Sequence, residues 1–214
     1  NADDGTIQDV TNNDTIRDAH EGGILAGIGY YRQQQKNAPE TPALGIFLFQ
    51  NLTIPASTQV RVSGDNAVVI LSLRDVNIEG IIDAGAFGKA GGPGGYDGGD
   101  GDQSGAGECP GNPGEGAAGC NRLCAAGSGG GGFGGPGGNG GDVNCAVTEI
   151  GGTIISTFTA TGGQGGAPCG TAELVPLIGG SGGAGGVTSD ETGGWRGPGG
   201  GGGWWGIPGA GLIS

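Results

Sequence analysis

Residues 131–142 read GGFGGPGGNGGD, four successive triplets with glycine at two of every three positions. Residues 179–187 repeat the pattern as GGSGGAGGV. A period of three matches the polyproline II helix, which has three residues per turn and no internal hydrogen bonds. Each helix would then have two faces without side chains, so neighbouring helices could approach closely and form hydrogen bonds between their backbone groups. The pattern therefore predicts a polyglycine/polyproline II helix bundle, with the third-position residues forming its outer surface.

Two other structures are rich in glycine, and both fit this sequence less well. Collagen has glycine at one position in three and abundant proline, whereas this chain has neither feature. Pro93 and Pro136 fall at third positions, where a missing N–H is tolerated. A flexible linker is the remaining alternative. The stretches TIISTFTAT (153–161) and AELVPLIGG (172–180) interrupt the glycine, and such apolar segments favour order over a linker.

Residues 46–84 carry the strand signals. The segments IFLFQNLTI, QVRVSG, AVVILSL and VNIEGIIDAG are short, β-branched and separated by Gly, Pro, Asp and Asn. Continuous apolar sequence at 67–73 predicts a strand covered on both faces. We expect a small β-domain here, either a sandwich or a few β-solenoid coils, and it should contain the hydrophobic core.

The predicted fold is thus mainly β and irregular, with almost no α-helix. A polar N-terminal arm at 1–45 includes a short helix or strand around Ile24–Gln35. The small β-domain occupies 46–84, and the glycine-rich domain occupies 85–214.

The charge and the composition limit which classes of partner and which cellular location the sequence predicts. The chain has 21 acidic and 8 basic residues, a formal net charge of −13, which disfavours nucleic acid and anionic membranes as partners. The sequence contains no apolar run of about 18 residues, the length that would predict a membrane span. Methionine is absent, so Asn1 is interpreted as a processed or trimmed end. We expect a secreted protein, extracellular or at the cell surface.

The cysteines lie in the glycine-rich part, where no core supplies stability. In an exported chain they predict disulfides, and their odd number leaves one thiol for another chain. We expect at least one intrachain bridge at the segment Cys109–Cys124. A metal site is the weaker alternative, because no second tight pair of cysteines exists and His20 is distant in sequence. The disulfide candidates are Cys109, Cys120, Cys124, Cys145 and Cys169.

An acidic stretch offers the one candidate cofactor site, for calcium. DGDQSG at 100–105 resembles the first half of a calcium loop, but Gly111 stands where the bidentate acid is expected. The alternative is a solvated acidic turn. The candidate ligands are Asp97, Asp100, Asp102, Ser104 and Glu108.

Aromatic residues near the C-terminus offer a candidate binding surface, formed by Trp195, Arg196, Trp204 and Trp205. These side chains could stack on sugars or on a partner, or they could cap the edge of the glycine stack. Catalytic residues are scarce, with one histidine and two lysines. The GGSGG of 179–183 matches a nucleophile elbow only as expected by chance in a glycine run. We therefore expect no enzymatic activity.

Two blocks of the sequence resemble predicted secreted glycine-rich surface proteins of myxobacterial type, an uncharacterised family. The first block is NLTIPASTQVRVSGDNAVVILSLRDVNIEGIIDAGAFGKAGGPGG at 51–95, and the second is AELVPLIGGSGGAGG at 172–186. The resemblance covers about residues 50–214 and implies a secreted or cell-surface location without implying a chemistry. In that family a further strand usually follows the last glycine run, so we expect a parent protein longer than this sequence.

These features favour a self-assembling subunit of a surface fibre or filament, a homo-oligomer or homopolymer. Open edges of the glycine framework could add hydrogen-bonded neighbours. Ile7, Val10 and Ile16 in the arm could lend a strand to the next subunit. A receptor-binding or glycan-binding adhesin tip is the alternative. Ice binding is a minor alternative, because the third positions are too irregular for a flat face of small residues.

Overall fold

A computed structural model describes residues 1–36, 40–100, 103–114, 126–148, 154–171 and 173–185. The described residues are mainly β and contain no α-helix, which confirms the predicted class at that level. The strands are β1 (Ile7–Asp9), β2 (Asp14–Arg17), β3 (Gly22–Leu25), β4 (Ile28–Gln33), β5 (Leu44–Phe49), β6 (Leu52–Ile54), β7 (Gln59–Arg61), β8 (Ala67–Ser72), β9 (Val76–Ile78), β10 (Ile81–Asp83), β11 (Val143–Thr148) and β12 (Ile154–Ala160).

The strands β5 to β10 form two successive coils of a parallel β-solenoid. Strand β5 pairs in parallel with β8, β6 with β9, and β7 with β10. The first residues of these pairs are Leu44↔Ala67, Leu52↔Val76 and Gln59↔Ile81. Because the two members of each pair are separated by almost the same number of residues, the second coil repeats the path of the first. The pairing matches the solenoid alternative for this region.

The solenoid sheet continues into the N-terminal segment. Its strand order is β3-β4-β5-β8, and β3, β4 and β5 pair antiparallel. The helix or strand expected around Ile24–Gln35 is therefore a hairpin, and its turn places Ala26 and Gly27 at positive φ. A separate antiparallel pair, β1 with β2, precedes it.

A buried cluster fixes the first residues to this sheet. Tyr30 is fully buried, packs 5.0 Å from the ring of Phe47 and donates its hydroxyl to the carbonyl of Ala2 at 2.7 Å. Burial raises the pKa of Tyr30, and the nearby carboxylates of Asp3 and Asp4 raise it further. Gly5 has φ +76°, and a Cβ there would lie 2.4 Å from the Tyr30 ring.

Arg17 is the other large member of this cluster and is 1% exposed. Its guanidinium lies over the Tyr30 ring at 5.4 Å. It donates to the carbonyls of Gly5 at 2.8 Å and Asp18 at 3.0 Å. Backbone oxygens thus compensate the buried charge, which would otherwise be costly to desolvate.

Candidate functional site: the glycine framework

Three glycine-rich runs lie side by side and bond through their backbones. We name them the first run (126–132), the second run (136–141) and the third run (162–167). The first donates to the second, the second to the third, and the third to the first, so the three runs form a closed triangle. Within each pair the donors are three residues apart. The bonds, all 2.8–2.9 Å, are Gly127→Gly141, Gly130→Gly138, Gly137→Gly166, Gly140→Gly163, Gly163→Gly127 and Gly166→Gly130.

The first run also bonds to two further segments, so it has four neighbours. Gly129 and Gly132 donate to the carbonyls of Asn112 and Cys109 at 2.9 Å. On another side, the carbonyls of the same two glycines accept from Ala184 and Ser181 at 3.0 and 3.2 Å. These donors and acceptors are again three residues apart, as expected when three residues make one turn.

Close backbone approach explains why the inner positions are glycine. An added Cβ would lie 1.9 Å from the Cys109 oxygen at Gly166 and 2.0 Å from the Ser181 oxygen at Gly131. On the second run, glycines in close contact alternate with glycines that face open space, because a Cβ on Gly138 or Gly141 would meet nothing within 4 Å. The second run is therefore an outer run with one open side.

Third-position side chains do more than form a surface. Asn139 and Asp142 are exposed, but their Oδ1 atoms accept the N–H groups of Gly165 and Gly162 at 2.8 and 2.7 Å. These side chains occupy the place of a missing neighbouring backbone at the edge.

The expectation that all third positions face outward is wrong for the run at 179–185. Ser181 and Ala184 are buried, because this run has neighbours on several sides and only small side chains fit. The Ser181 hydroxyl accepts the N–H of Cys109 at 2.9 Å. Pro93 is likewise fully buried.

One disulfide joins Cys109 to Cys169 across 60 residues, with a Cα–Cα distance of 6.0 Å. It confirms the predicted intrachain bridge at the segment that begins with Cys109. Cys169 also donates its N–H to Phe133 at 2.9 Å, so the bridge lies beside the first run. Cys120 and Cys124 lie outside the described residues, and Cys145 lies on β11. A free thiol for another chain stays a prediction.

The described acidic residues do not converge on one point. Asp97 accepts the N–H of Gly91 at 2.9 Å, and Asp100 contacts the ammonium of Lys89. Ser104 donates to Asn112 at 3.1 Å. Glu108 acts on Tyr96, whose pKa is raised first by burial and then by that carboxylate. Within the described ranges no three His, Cys, Asp or Glu side chains are grouped to hold a metal; Asp102 lies outside them, and the calcium site stays a prediction.

The remaining candidates are placed as follows. Ile7 lies in β1 and Ile16 in β2, which pair with each other, and Val10 at the turn between them is 88% exposed. Strand donation by these residues stays a prediction. Trp195, Arg196, Trp204 and Trp205 lie outside the described residues.

No family model, curated protein or solved structure matches this chain. Among the described residues, no helix has both the length and the apolar character needed to cross a bilayer.

Proposed function

We propose that the chain is a non-enzymatic extracellular structural protein that self-assembles into a surface fibre or filament. The observation that carries this proposal is the triangle of glycine runs, joined by backbone hydrogen bonds that recur every three residues. A polyglycine II helix bundle accounts for that period and for the close approach of the runs. Such a bundle can grow sideways by adding another run, since its bonds are between backbones.

The outer second run is the place where growth is simplest. Gly138 and Gly141 in this run, and Gly134 and Gly135 just before it, have open space where a Cβ would stand, so nothing within the described fold requires glycine there. Glycine costs about 0.5–1 kcal/mol more conformational entropy than alanine. A neighbouring chain that packs closely against this side would explain why the sequence keeps it.

An extracellular location agrees with the disulfide and the acidic composition. Disulfides persist in oxidising compartments, and a net charge of −13 favours solubility before assembly. The resemblance to secreted glycine-rich surface proteins also implies an extracellular location.

Analytical ultracentrifugation over a concentration series, followed by electron microscopy, tests assembly. We expect the wild-type chain to form elongated oligomers. Gly138→Lys and Gly141→Lys should block them without unfolding the protein, because both positions face open space. Val175→Lys is the matched control, since Val175 is 70% exposed and lies outside the second run. A strictly monomeric wild-type particle at high concentration would contradict the proposal.

Strand donation needs its own variants. Deleting residues 1–20 would remove Ala2 and Arg17 from the buried cluster, so a loss of assembly could reflect unfolding. Val10→Asp and Ile16→Asp change exposed side chains instead. Loss of filaments in these variants, with unchanged melting, would support donation by the β1–β2 hairpin; unchanged filaments would rule it out.

A further inference from the structure

A cavity of about 230 Å³ lies between the end of the first solenoid coil and the turn that follows the second coil. Residues 61–65 form one wall. Residues 85–93 contribute the other wall, with Phe87 and the backbone of Gly91 and Gly92 among the lining groups. The cavity is separate from the glycine runs described above.

The first wall presents three different hydrogen-bonding side chains. Arg61, Ser63 and Asp65 are exposed and alternate with the buried Val62 and the partly buried Gly64. Gly64 has φ +114°, so the chain turns at this point, and Arg61, Ser63 and Asp65 all line the cavity around the turn. Arg61 can only donate, the hydroxyl of Ser63 can donate and accept, and ionised Asp65 can only accept.

The backbone of this wall is fixed while two of its side chains are free. Ser63 accepts the N–H of Ala2 at 2.6 Å through its carbonyl, and Asp65 donates its N–H to the carboxylate of Asp3 at 2.9 Å. Among the described residues, the Ser63 hydroxyl and the Asp65 carboxylate have no protein partner. The backbone of both residues is therefore held in place, and their side-chain oxygens are available to a ligand.

The second wall supplies an aromatic ring. Phe87 is 75% exposed, and its backbone exchanges two 3.1 Å hydrogen bonds with Ala90, which close a tight turn. The Arg61 guanidinium lies 5.1 Å from the ring centroid and is 3.8 Å from Asp83. These contacts restrain both the ring and the guanidinium at the cavity.

We propose that this cleft binds one neutral hexopyranose unit of a surface polysaccharide. An aromatic ring packs against the C–H face of a pyranose, while nearby donors and acceptors bind its hydroxyl groups. The cavity is smaller than the range of about 300–1,000 Å³ typical of drug-sized ligands, so one ring is the appropriate size. Asp83 lies 3.8 Å from the Arg61 guanidinium and offsets its charge, so Asp65 on the wall and the net charge of −13 disfavour an anionic sugar. This binding does not depend on self-assembly.

Saturation-transfer NMR on the full chain tests the site, with D-glucose, D-galactose, D-mannose and N-acetyl-D-glucosamine as separate probes. We expect transfer to the ring C–H protons of at least one sugar, with about millimolar affinity because the contact area is small. D-glucuronate is the charge control and should bind more weakly. No transfer to any of the four neutral sugars, or stronger binding of glucuronate, would overturn the proposal.

Variants locate the site. Phe87→Ala should weaken binding about five- to tenfold through loss of the stacking contact, and Asp65→Asn should weaken it several-fold because an acceptor oxygen is lost. Tyr31→Ala is the matched control, since Tyr31 is an aromatic residue 45% exposed outside the cavity. Melting temperatures establish that each variant folds. Equal loss in the Tyr31 variant, or full binding by folded Phe87→Ala, would refute the assignment.

Discussion

Gly140 and Gly141 are neighbours in the second run, yet an added methyl group would meet different surroundings at each. At Gly140 the Cβ would lie 1.9 Å from the oxygen of Gly127, whereas at Gly141 it would meet nothing within 4 Å. Neither residue has φ in the left-handed region. Replacement of each by alanine therefore tests close packing of the backbones and not backbone strain.

The expected difference in stability is large. To accept the Gly140→Ala methyl group, the second run must move away from the first, which costs about 1–3 kcal/mol as overpacking. The movement weakens the bonds Gly140→Gly163 and Gly127→Gly141, each worth about 1 kcal/mol. Gly141→Ala should instead stabilise by about 0.4–1 kcal/mol, because alanine restricts the unfolded chain. The restriction of the unfolded chain is the same in both variants and cancels, so overpacking and the weakened bonds should make them differ by about 3 kcal/mol in unfolding free energy.

Urea denaturation and calorimetry of the oxidised protein measure this difference. For a chain of this size, about 3 kcal/mol corresponds to a separation of about 6–12 °C in melting temperature. Gly137→Ala and Gly138→Ala repeat the comparison one triplet earlier, with a Cβ 2.0 Å from the Gly130 oxygen at Gly137 and nothing within 4 Å at Gly138. If the members of both pairs unfold within about 1 kcal/mol of each other, the runs do not pack as described.

Three further outcomes are expected. Replacing Cys109 and Cys169 by serine should lower stability by about 4 kcal/mol, the loop-closure value for 60 residues, and denaturant melts of oxidised, reduced and mutant protein check this. Because the folded-state pKa of Tyr30 is raised, its contribution is complete below the unfolded value of about 10 and is lost as pH rises through the folded pKa. Unfolding free energies from neutral to alkaline pH should show a smaller loss in Tyr30→Phe than in wild type, where the loss that remains comes from Tyr96, whose pKa is also raised. Asn139→Ala should cost about 1 kcal/mol by leaving the Gly165 N–H without its acceptor, whereas Asn139→Asp keeps an acceptor and should melt close to wild type.

The sequence predicts the framework better than it predicts its edges. The period of three anticipates hydrogen bonds at every third residue, because a helix with three residues per turn presents the same face to a neighbour at that spacing. It does not reveal which run is inside, and so Ser181 and Ala184 were assigned to the outer surface. The small size of Ser181 and Ala184 is a signal for a surrounded run, but the same rule does not predict the burial of Pro93.

In the β-region, too, the sequence predicts some features of the structure and not others. The four strand segments predicted at 46–84 contain β6 to β10 and most of β5, but a sandwich and a solenoid share that pattern. Only the recurrence of LTI at 52–54 as VNI at 76–78 indicates coils, and three residues are too short a repeat to recognise. The buried Arg17 could not be foreseen, since backbone carbonyls compensate its charge. The sequence predicts a strand at Arg61 and no cleft, because only the fold brings Phe87 close to it.

The triangle of glycine runs has a consequence for how such a protein looks to spectroscopy. Polyproline II, the conformation proposed for these runs, is also a major conformer of unfolded chains, so we expect circular dichroism to score the runs as disordered. Amide exchange would report the opposite. In the first run Gly127, Gly129, Gly130 and Gly132 all donate to other segments, so two amides in every three should exchange slowly. Slow exchange beneath a coil-like spectrum is therefore the solution signature of this kind of order.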